Sequence, residues 1–380
     1  MIAGTQRRTA PRVFWVVAAV VAALGLAVGL WRLVQGLGAT TNLSDAYPWG
    51  LWIVFDIFLI PFSAGAFTMA AIANIMNKEE YHAVARPVVL AGFLGYAGVV
   101  AILLLDLARW PQFYKILWPG FWNLHSFMLE VTLCITLYTI VLLLELSPLL
   151  WERLRMERAQ RGFRFAGALI AGVGIVLSCL HQSSLGSLFL LMRESLHGLW
   201  WSPMLPLFFL LSAVFSGLAM ITFVTVITAR AYHHPEHVDL LPGLAQATGV
   251  LLALYTVLRL ADLIVRGQAG LMFGPGAMSA LFWVEIIVGA VVPMVLFALP
   301  TVRKTVAGLL WGAVCVILGL ALNRASVGLF ALERPAGAQY FPSPIEFVAA
   351  IGVLAIAAIV YAVAAQYLPV FSETAVGESR

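Results

Sequence analysis

From Val13 to Leu368 the chain is a succession of apolar stretches, each long enough to cross a lipid bilayer. A membrane-crossing helix needs about 20 mostly apolar residues at about 1.5 Å of rise each. Runs that satisfy this rule fall roughly at 13–34, 48–76, 86–108, 123–147, 163–183, 204–230, 242–265, 278–299, 304–323 and 345–369. In lipid every backbone N–H and C=O must be satisfied within the protein, which leaves helices and closed barrels. The runs are too long and continuous for barrel strands. The sequence therefore predicts an all-α integral membrane protein with about ten transmembrane helices. Its 62% hydrophobic and 11% charged residues, with a mean hydropathy of +0.97, exceed what a soluble domain carries. The second and sixth runs are long enough to tilt or to project beyond the lipid. The run after Arg12 exceeds the length of a signal-peptide core, so the first span reads as a retained helix.

An even number of spans places both termini on one side. Arg7, Arg8 and Arg12 lie there, with Lys78, Arg86 and the cluster Arg153, Arg155, Arg158, Arg161 and Arg164. Arg230, Arg303, Lys304 and Arg380 complete that side, which holds roughly twice the Lys and Arg of the other. The positive-inside rule puts both termini in the cytoplasm. The sequence pI of 9.1 follows from this topology and gives no reason to expect nucleic-acid binding.

The few charges inside these runs are expensive. A charged side chain at the centre of a membrane helix costs about 2.5–3.5 kcal/mol on insertion scales, which makes such residues functional candidates. Given the orientation, Asp106 and Arg109 close the third span at the outer face, and His125 and Glu130 open the fourth. His181 and Gln182 close the fifth; Arg259, Asp262 and Arg266 close the seventh. Asp56, Glu130 and Glu285 each lie ~10 Å below the outer boundary at 1.5 Å per residue. The inner half holds Glu145. Each also has a structural reading. Asp106/Arg109 and Arg259/Asp262 are spaced i,i+3 and can pair on one helix face. His181 can be an interfacial histidine satisfied by hydrogen bonds. Glu130 and Glu285 have no basic residue at i±3 or i±4 on their own helix, so proton exchange explains them better than same-helix pairing. Thr132, Thr136 and Thr139 follow the helical period, but such threonines often bond their own backbone.

Two parts of the chain resemble one another. Leu105-Asp106-Leu107 and Phe127-Met128-Leu129-Glu130 in the third and fourth spans correspond to Ala261-Asp262-Leu263 and Phe282-Trp283-Val284-Glu285 in the seventh and eighth. Leu180-His181-Gln182-Ser183-Ser184-Leu185-Gly186 corresponds to Leu322-Asn323-Arg324-Ala325-Ser326-Val327-Gly328. The pattern implies one polytopic domain over 1–380, built of a first outer helix (13–34), an N-terminal four-helix repeat (48–183), a C-terminal one (204–323) and a last outer helix (345–369). Repeats with an even number of helices run parallel. Between the fifth and sixth spans, residues 186–203 are apolar and aromatic yet too short to cross. They read as an interfacial or re-entrant helix at the outer face, or as a loop against the headgroups.

Cys134, Cys179 and Cys315 lie within spans and form no C-x-x-C pair, so four-cysteine ligation of an iron–sulfur cluster is excluded. The two-histidines-per-helix spacing of a two-haem membrane cytochrome is absent. Only His125 with His181 could clamp a single haem. No phosphate-binding G-x-x-x-x-G-K-[ST] loop occurs.

At Tyr47-Pro48-Trp49-Gly50-Leu51-Trp52 through Phe55-Asp56 the chain resembles the NrfD/PsrC family of quinone-interacting membrane subunits, most strongly its HybB branch. Further matching stretches are Tyr81-His82 with Arg86-Pro87, Asn123 through Glu130, His181 through Leu188, Met204-Leu205-Pro206-Leu207-Phe208, Phe282-Trp283-Val284-Glu285 and Tyr340-Phe341-Pro342. The resemblance implies a subunit of the bacterial inner membrane that binds menaquinone or ubiquinone near its periplasmic face and holds no haem or cluster of its own. It implies docking of a periplasmic four-cluster ferredoxin-like iron–sulfur subunit that leads to a catalytic partner, in the HybB branch a nickel–iron hydrogenase. Relatives also anchor molybdenum enzymes acting on sulfur or nitrogen compounds. By the same resemblance the quinone head would lie near Asp56, His125, Glu130 and His181, with Gln182 and Arg109 beside them, and Glu130 is the candidate for proton exchange. The chemistry of these residue types agrees. Near neutral pH an imidazole at His181 can donate to a quinone carbonyl or accept from the hydroxyl of its reduced form, and Glu130 or Asp106 can give or take protons. A proton path to the other side would draw on Glu145, Arg259, Asp262 and Glu285. Two rivals are an ion-coupled transporter and a passive anchor. The first fits polar residues at the midplane and the second needs no charges in the lipid zone.

Overall fold

The computed structural model describes residues 12–70, 72, 82–232, 235–333 and 340–370. Ten helices within them are long and apolar enough to cross a membrane. We number these α1 (Arg12–Gln35), α2 (Leu51–Ala70), α3 (His82–Asp106), α4 (Phe127–Arg153), α5 (Glu157–Leu190), α6 (Leu205–Tyr232) and α7 (Leu241–Val265). Helix α8 starts as Ala277–Ile286, passes through a π turn at Ile287–Val291 and ends as Val292–Ala298. Helix α9 (Val306–Ala325) ends in a second π turn, Ser326–Phe330, and α10 is Pro344–Tyr367. No strand occurs among the described residues. The chain is thus an all-α, multi-pass membrane protein. Of the charges on which the orientation rests, Arg7, Arg8, Lys78, Arg334 and Arg380 lie outside the described residues, as do Tyr81 and the expected end of the second span.

The packing order follows the chain. Helices α2, α3, α4 and α5 close one four-helix ring, and α6, α7, α8 and α9 close another. The rings meet where α6 lies against α2 and α5, while α1 and α10 pack on each other beside α3. Small residues permit the closest crossings, as expected where lipid supplies no hydrophobic drive between helices. A Cβ placed on Gly65 of α2 would lie 2.6 Å from the Gly217 carbonyl oxygen of α6, and Gly25 of α1 meets Gly352 of α10 backbone to backbone. Thr132, Thr136 and Thr139 each donate to the carbonyl four residues earlier, at 2.7–2.9 Å, so this row satisfies itself.

The starts of α2 and α10 are tied together by side chains at and just before the start of α10. Ser343 and Glu346 form a capping box with Pro344 at the first helical position. The Glu346 carboxylate also accepts from the Tyr340 hydroxyl and from the amides of Asn42 and Ser343. The Tyr340 hydroxyl in turn accepts from the Leu51 amide at 2.9 Å, and the Trp52 indole donates to the Glu346 carbonyl at 3.0 Å. The start of α2, where Asp56 sits, is therefore held by the start of α10. Burial and the donation to Glu346 both push the Tyr340 phenol well above its usual range.

Residues 186–203 do not form a separate interfacial or re-entrant helix. Helix α5 continues through Gly186 to Leu190, and a turn-rich segment follows. That segment is pinned to the segment after α9, since His197 N donates to Ala331 O at 2.8 Å and Glu333 N to Ser195 O at 2.6 Å.

Gly65→Val would drive side-chain atoms into the α6 backbone. We expect it to cost about 1–3 kcal/mol as overpacking and to lower the thermal unfolding midpoint in detergent. Gly172→Ala, with nothing within 4 Å of the new methyl, should leave that midpoint unchanged.

Candidate functional site

Within the first ring, several helices carry buried polar groups that have no partner in the protein. Asp56 on α2 is 3% exposed and neither carboxylate oxygen has a hydrogen-bond partner. His181 and Gln182 on α5 are each 1% exposed, and both imidazole nitrogens and Gln182 Oε1 also lack partners. The Tyr96 hydroxyl on α3 is buried without a partner and interacts electrostatically with Asp56. The Tyr96 ring lies 6.2 Å from His181 edge-on and 4.5 Å from Tyr138 on α4, which stacks edge-on with Phe67. Leaving a buried donor or acceptor unmade costs about 1–3 kcal/mol each. Asp56, Tyr96, His181 and Gln182 of the first ring thus carry buried polar atoms that the protein leaves unmatched. Beside it, Ser184 on α5 donates to Glu130 on α4 at 2.5 Å and to Leu180 O at 2.9 Å, clasping the two helices.

The second ring treats its polar residues in the opposite way. Arg259 on α7 pairs with Glu285 on α8 and donates to the Tyr255 hydroxyl at 3.0 Å. Glu285 also accepts from the Trp200 indole at 2.8 Å and from Asn323 at 2.9 Å. Arg324 donates to Asn323 Oδ1, Ser212 Oγ and Ile57 O, and lies 3.8 Å over the Phe209 ring. A cavity of about 20 Å³, room for about one water, remains beside Ser212, Tyr255, Glu285 and Asn323. The two π turns begin two residues after Glu285 and Arg324, at Ile287 and Ser326.

The expected pairings change accordingly. Arg259 and Asp262 do not pair with each other. Asp262 instead bonds Arg266 at 2.8 Å and Ser202 at 2.9 Å, and Arg266 reaches Gly198 O. Glu285, expected to be free for proton exchange because its own helix offers no cation, is neutralised from α7, 26 residues earlier in the chain. Asp106 and Arg109 form no ion pair; α3 ends at Asp106, Arg109 is exposed in the turn, and Asp106 interacts with Arg32 of α1. The structure sets His181 beside Tyr96, which interacts with Asp56, and holds Glu130 to Ser184 one turn further along α5. His125 lies exposed in the turn before α4, bonded through its backbone to Asn123. Glu145 stands alone, buried, at the other end of α4, with one oxygen unpartnered. No group of three or more His, Cys, Asp or Glu among the described residues is arranged to hold a metal ion. Sequence reasoning missed Tyr96, Tyr138, Ser184, Arg32 and Trp200; only their positions in a polar neighbourhood distinguish them from filler aromatics and rim charges.

This combination defines a class: a multi-pass helical membrane protein that carries buried, unpartnered acid, imidazole and phenol groups in one of its two helix rings and has no soluble domain among the described residues. The NrfD polysulphide reductase family matches residues 39–331, and the chain belongs to that family. It is 33% identical over 346 residues to a probable Ni/Fe-hydrogenase 2 b-type cytochrome subunit of Escherichia coli, covering 89% of this chain and 87% of that one. It is 29% identical over 383 residues to the integral membrane subunit of a menaquinone reductase of Nitratidesulfovibrio vulgaris, covering 92% and 90%. It is also 22% identical over 424 residues to a selenate reductase subunit of Mesobacillus selenatarsenatis, covering 95% of each.

The two rings should respond differently to mutation. Glu285→Ala leaves Arg259 buried and uncompensated, which we expect to cost about 3–5 kcal/mol. Asp56→Asn removes no bond and should keep the wild-type unfolding midpoint in detergent. Equal losses would make Asp56 part of the scaffold.

Proposed function

We propose that the chain is the quinone-reactive membrane subunit of a respiratory oxidoreductase complex. It exchanges electrons between an iron–sulfur subunit docked at its outer face and the menaquinone or ubiquinone pool. The observation that carries this reading is the set of unpartnered buried groups at Asp56, Tyr96, His181 and Gln182. A quinone supplies two-electron, two-proton chemistry and asks its binding site for an apolar slot with a polar group at each carbonyl. The donor set fits: an imidazole N–H of His181 can donate to one carbonyl, and the Tyr96 hydroxyl or a protonated Asp56 to the other. Glu130, clasped by Ser184, is a positioned acid/base one helix away. A haem fits less well, because of the expected pair His125 is exposed and only His181 is buried.

The relatives support the partners in this reading. The 33% identical one carries the name of a Ni/Fe-hydrogenase subunit, which favours a nickel–iron hydrogenase as the catalytic partner. The selenate reductase relative keeps a molybdenum-type partner as the second reading. The Lys and Arg distribution supports the bacterial inner membrane with both termini cytoplasmic and the site toward the periplasm. The two closed rings, and the crossing of α2 and α6 at Gly65 and Gly217, support a duplicated four-helix unit. In that duplication the second copy's site is filled by the Arg259–Glu285 network. That network keeps Glu285 and Arg259 engaged, so we assign them to the scaffold; Asp262, tied to Arg266 and Ser202, belongs with them.

Titration of the purified chain with a fluorescent quinone analogue tests the proposal. Saturable binding with a Kd of about micromolar strength, near −8 kcal/mol, is expected, weakened at least about tenfold (about 1.4 kcal/mol) by His181→Ala. Absence of binding by the folded chain with its iron–sulfur partner present would refute the quinone reading and leave a passive anchor or a transporter. Glu130→Gln keeps an acceptor for Ser184, so assembly and binding should persist while quinone turnover falls about tenfold or more. Unchanged turnover would remove Glu130 from proton exchange.

A further inference from the structure

Pro61 stands in the interior of α2, downstream of Asp56. A helical carbonyl is ordinarily taken by the N–H four residues on. Proline has no N–H to give, and its ring crowds that carbonyl. The carbonyl that Pro61 leaves without a helical donor is that of Ile57, the residue next to Asp56. Its donor comes from the other ring. Arg324, the next-to-last residue of α9, donates from Nε to Ile57 O at 3.3 Å.

Arg324 is fixed in this position by the second ring. It is buried, its Nη1 donates to Asn323 Oδ1 at 2.8 Å and its Nη2 to Ser212 Oγ of α6 at 2.7 Å, and the guanidinium lies 3.8 Å over the Phe209 ring. It forms no ion pair with a carboxylate among the described residues. All its donors go to neutral acceptors, and those acceptors belong to α9, α6 and α2. A planar guanidinium with its donors in a rigid fork suits that bridging role. The same stretch of α9 also presses on α2 directly. In the π turn Ser326–Phe330, a Cβ placed on Gly328 would lie 2.9 Å from Val54 Cγ2 and 3.4 Å from Ile57 Cδ1. The end of α9 therefore bounds the turn of α2 that carries Asp56, by contact at Val54 and Ile57 and by a hydrogen bond at the Ile57 carbonyl.

We propose that Arg324 is a positioning residue for Asp56: it supplies to the Ile57 carbonyl the hydrogen bond that Pro61 denies it, and so makes the Asp56 turn of α2 depend on the polar network of the second ring. The inference rests on the quinone reading, in which Asp56 is a ligand-binding group. Prolines and unsatisfied carbonyls are where helices bend. Without the Arg324 bond, α2 is free to bend at Pro61 and to carry the Asp56 carboxylate away from its place relative to α3 and α5. The second ring thus holds no ligand group of the first, yet sets where one of them stands.

A purely structural Arg324, one that only ties α9 to α6, makes a different prediction. In the membrane complex with its iron–sulfur partner, Arg324→Met removes every donor. It should weaken binding of the fluorescent quinone analogue about tenfold, the scale of one hydrogen bond from a charged group, and lower the unfolding midpoint. Pro61→Ala returns an N–H to α2 and should by itself bind the analogue within about twofold of wild type. In that background Arg324→Met should cost no more than about a further twofold in affinity, while the midpoint stays lowered because Asn323 and Ser212 still lose their partner. Equal losses of affinity in both backgrounds, wild-type affinity in a folded Arg324→Met chain, or loss of binding in Pro61→Ala alone overturns the proposal. Should Arg324→Met fail to fold, Ser212→Ala decides, since it loosens the guanidinium without removing it. It should weaken the analogue about threefold in the wild-type background and leave affinity unchanged in the Pro61→Ala background; any other pattern overturns the proposal. Failure of the wild-type complex to bind the analogue would instead defeat the quinone reading itself.

Discussion

A carboxylate held among apolar helices must find a cation, a set of donors or a ligand, because the low-dielectric surroundings punish an unmatched charge. The two rings of this chain meet that demand differently. In the second, Glu285 collects Arg259, Trp200 and Asn323, and Arg324 fastens the same cluster to Ser212 and to the Ile57 carbonyl of the first ring. In the first, Asp56 and His181 collect nothing. The polar residues of one ring are tied to one another and those of the other are not, and the two rings share the wall of α2, α5 and α6.

The open site is also framed from outside. Glu346, Tyr340, Ser343 and Asn42 form a hydrogen-bonded collar that fixes where α2 begins, hence how deep Asp56 lies. Arg32 closes the same rim from α1. The paired helices α1 and α10 therefore do more than flank the rings. They fix the start of α2, four to five residues before Asp56, and place a buried arginine beside the end of α3.

Most of the fold was legible because the bilayer dictates it: a thickness met by about 20 residues turns apolar run length into a count of spans. The ends were less legible. The fifth span was expected to end at 183, before Gly186, but α5 runs to Leu190. Gly186 is there because its missing side chain lets α5 approach Leu205 and Pro206, so a residue that reads as a helix terminator is a packing contact. Asp56, Glu130, His181 and Gln182 were visible as polar letters in apolar text. Tyr96 was not, since aromatic residues fill most spans without function. Nor was the Arg259–Glu285 pair, whose partners come together only when α7 and α8 pack. Arg32 read as a charge at the rim because it stands near a span end; the fold turns it inward.

The most direct test of this account is where a quinone head comes to rest. A cryo-electron-microscopy map of the chain with its iron–sulfur partner and a bound menaquinone analogue should place the ring among Asp56, Tyr96 and His181, with the second ring closed by Arg259 and Glu285. A head group lodged in the second ring beside Glu285, or an Asp56–His181 pocket filled by protein side chains with the analogue bound elsewhere, would contradict it.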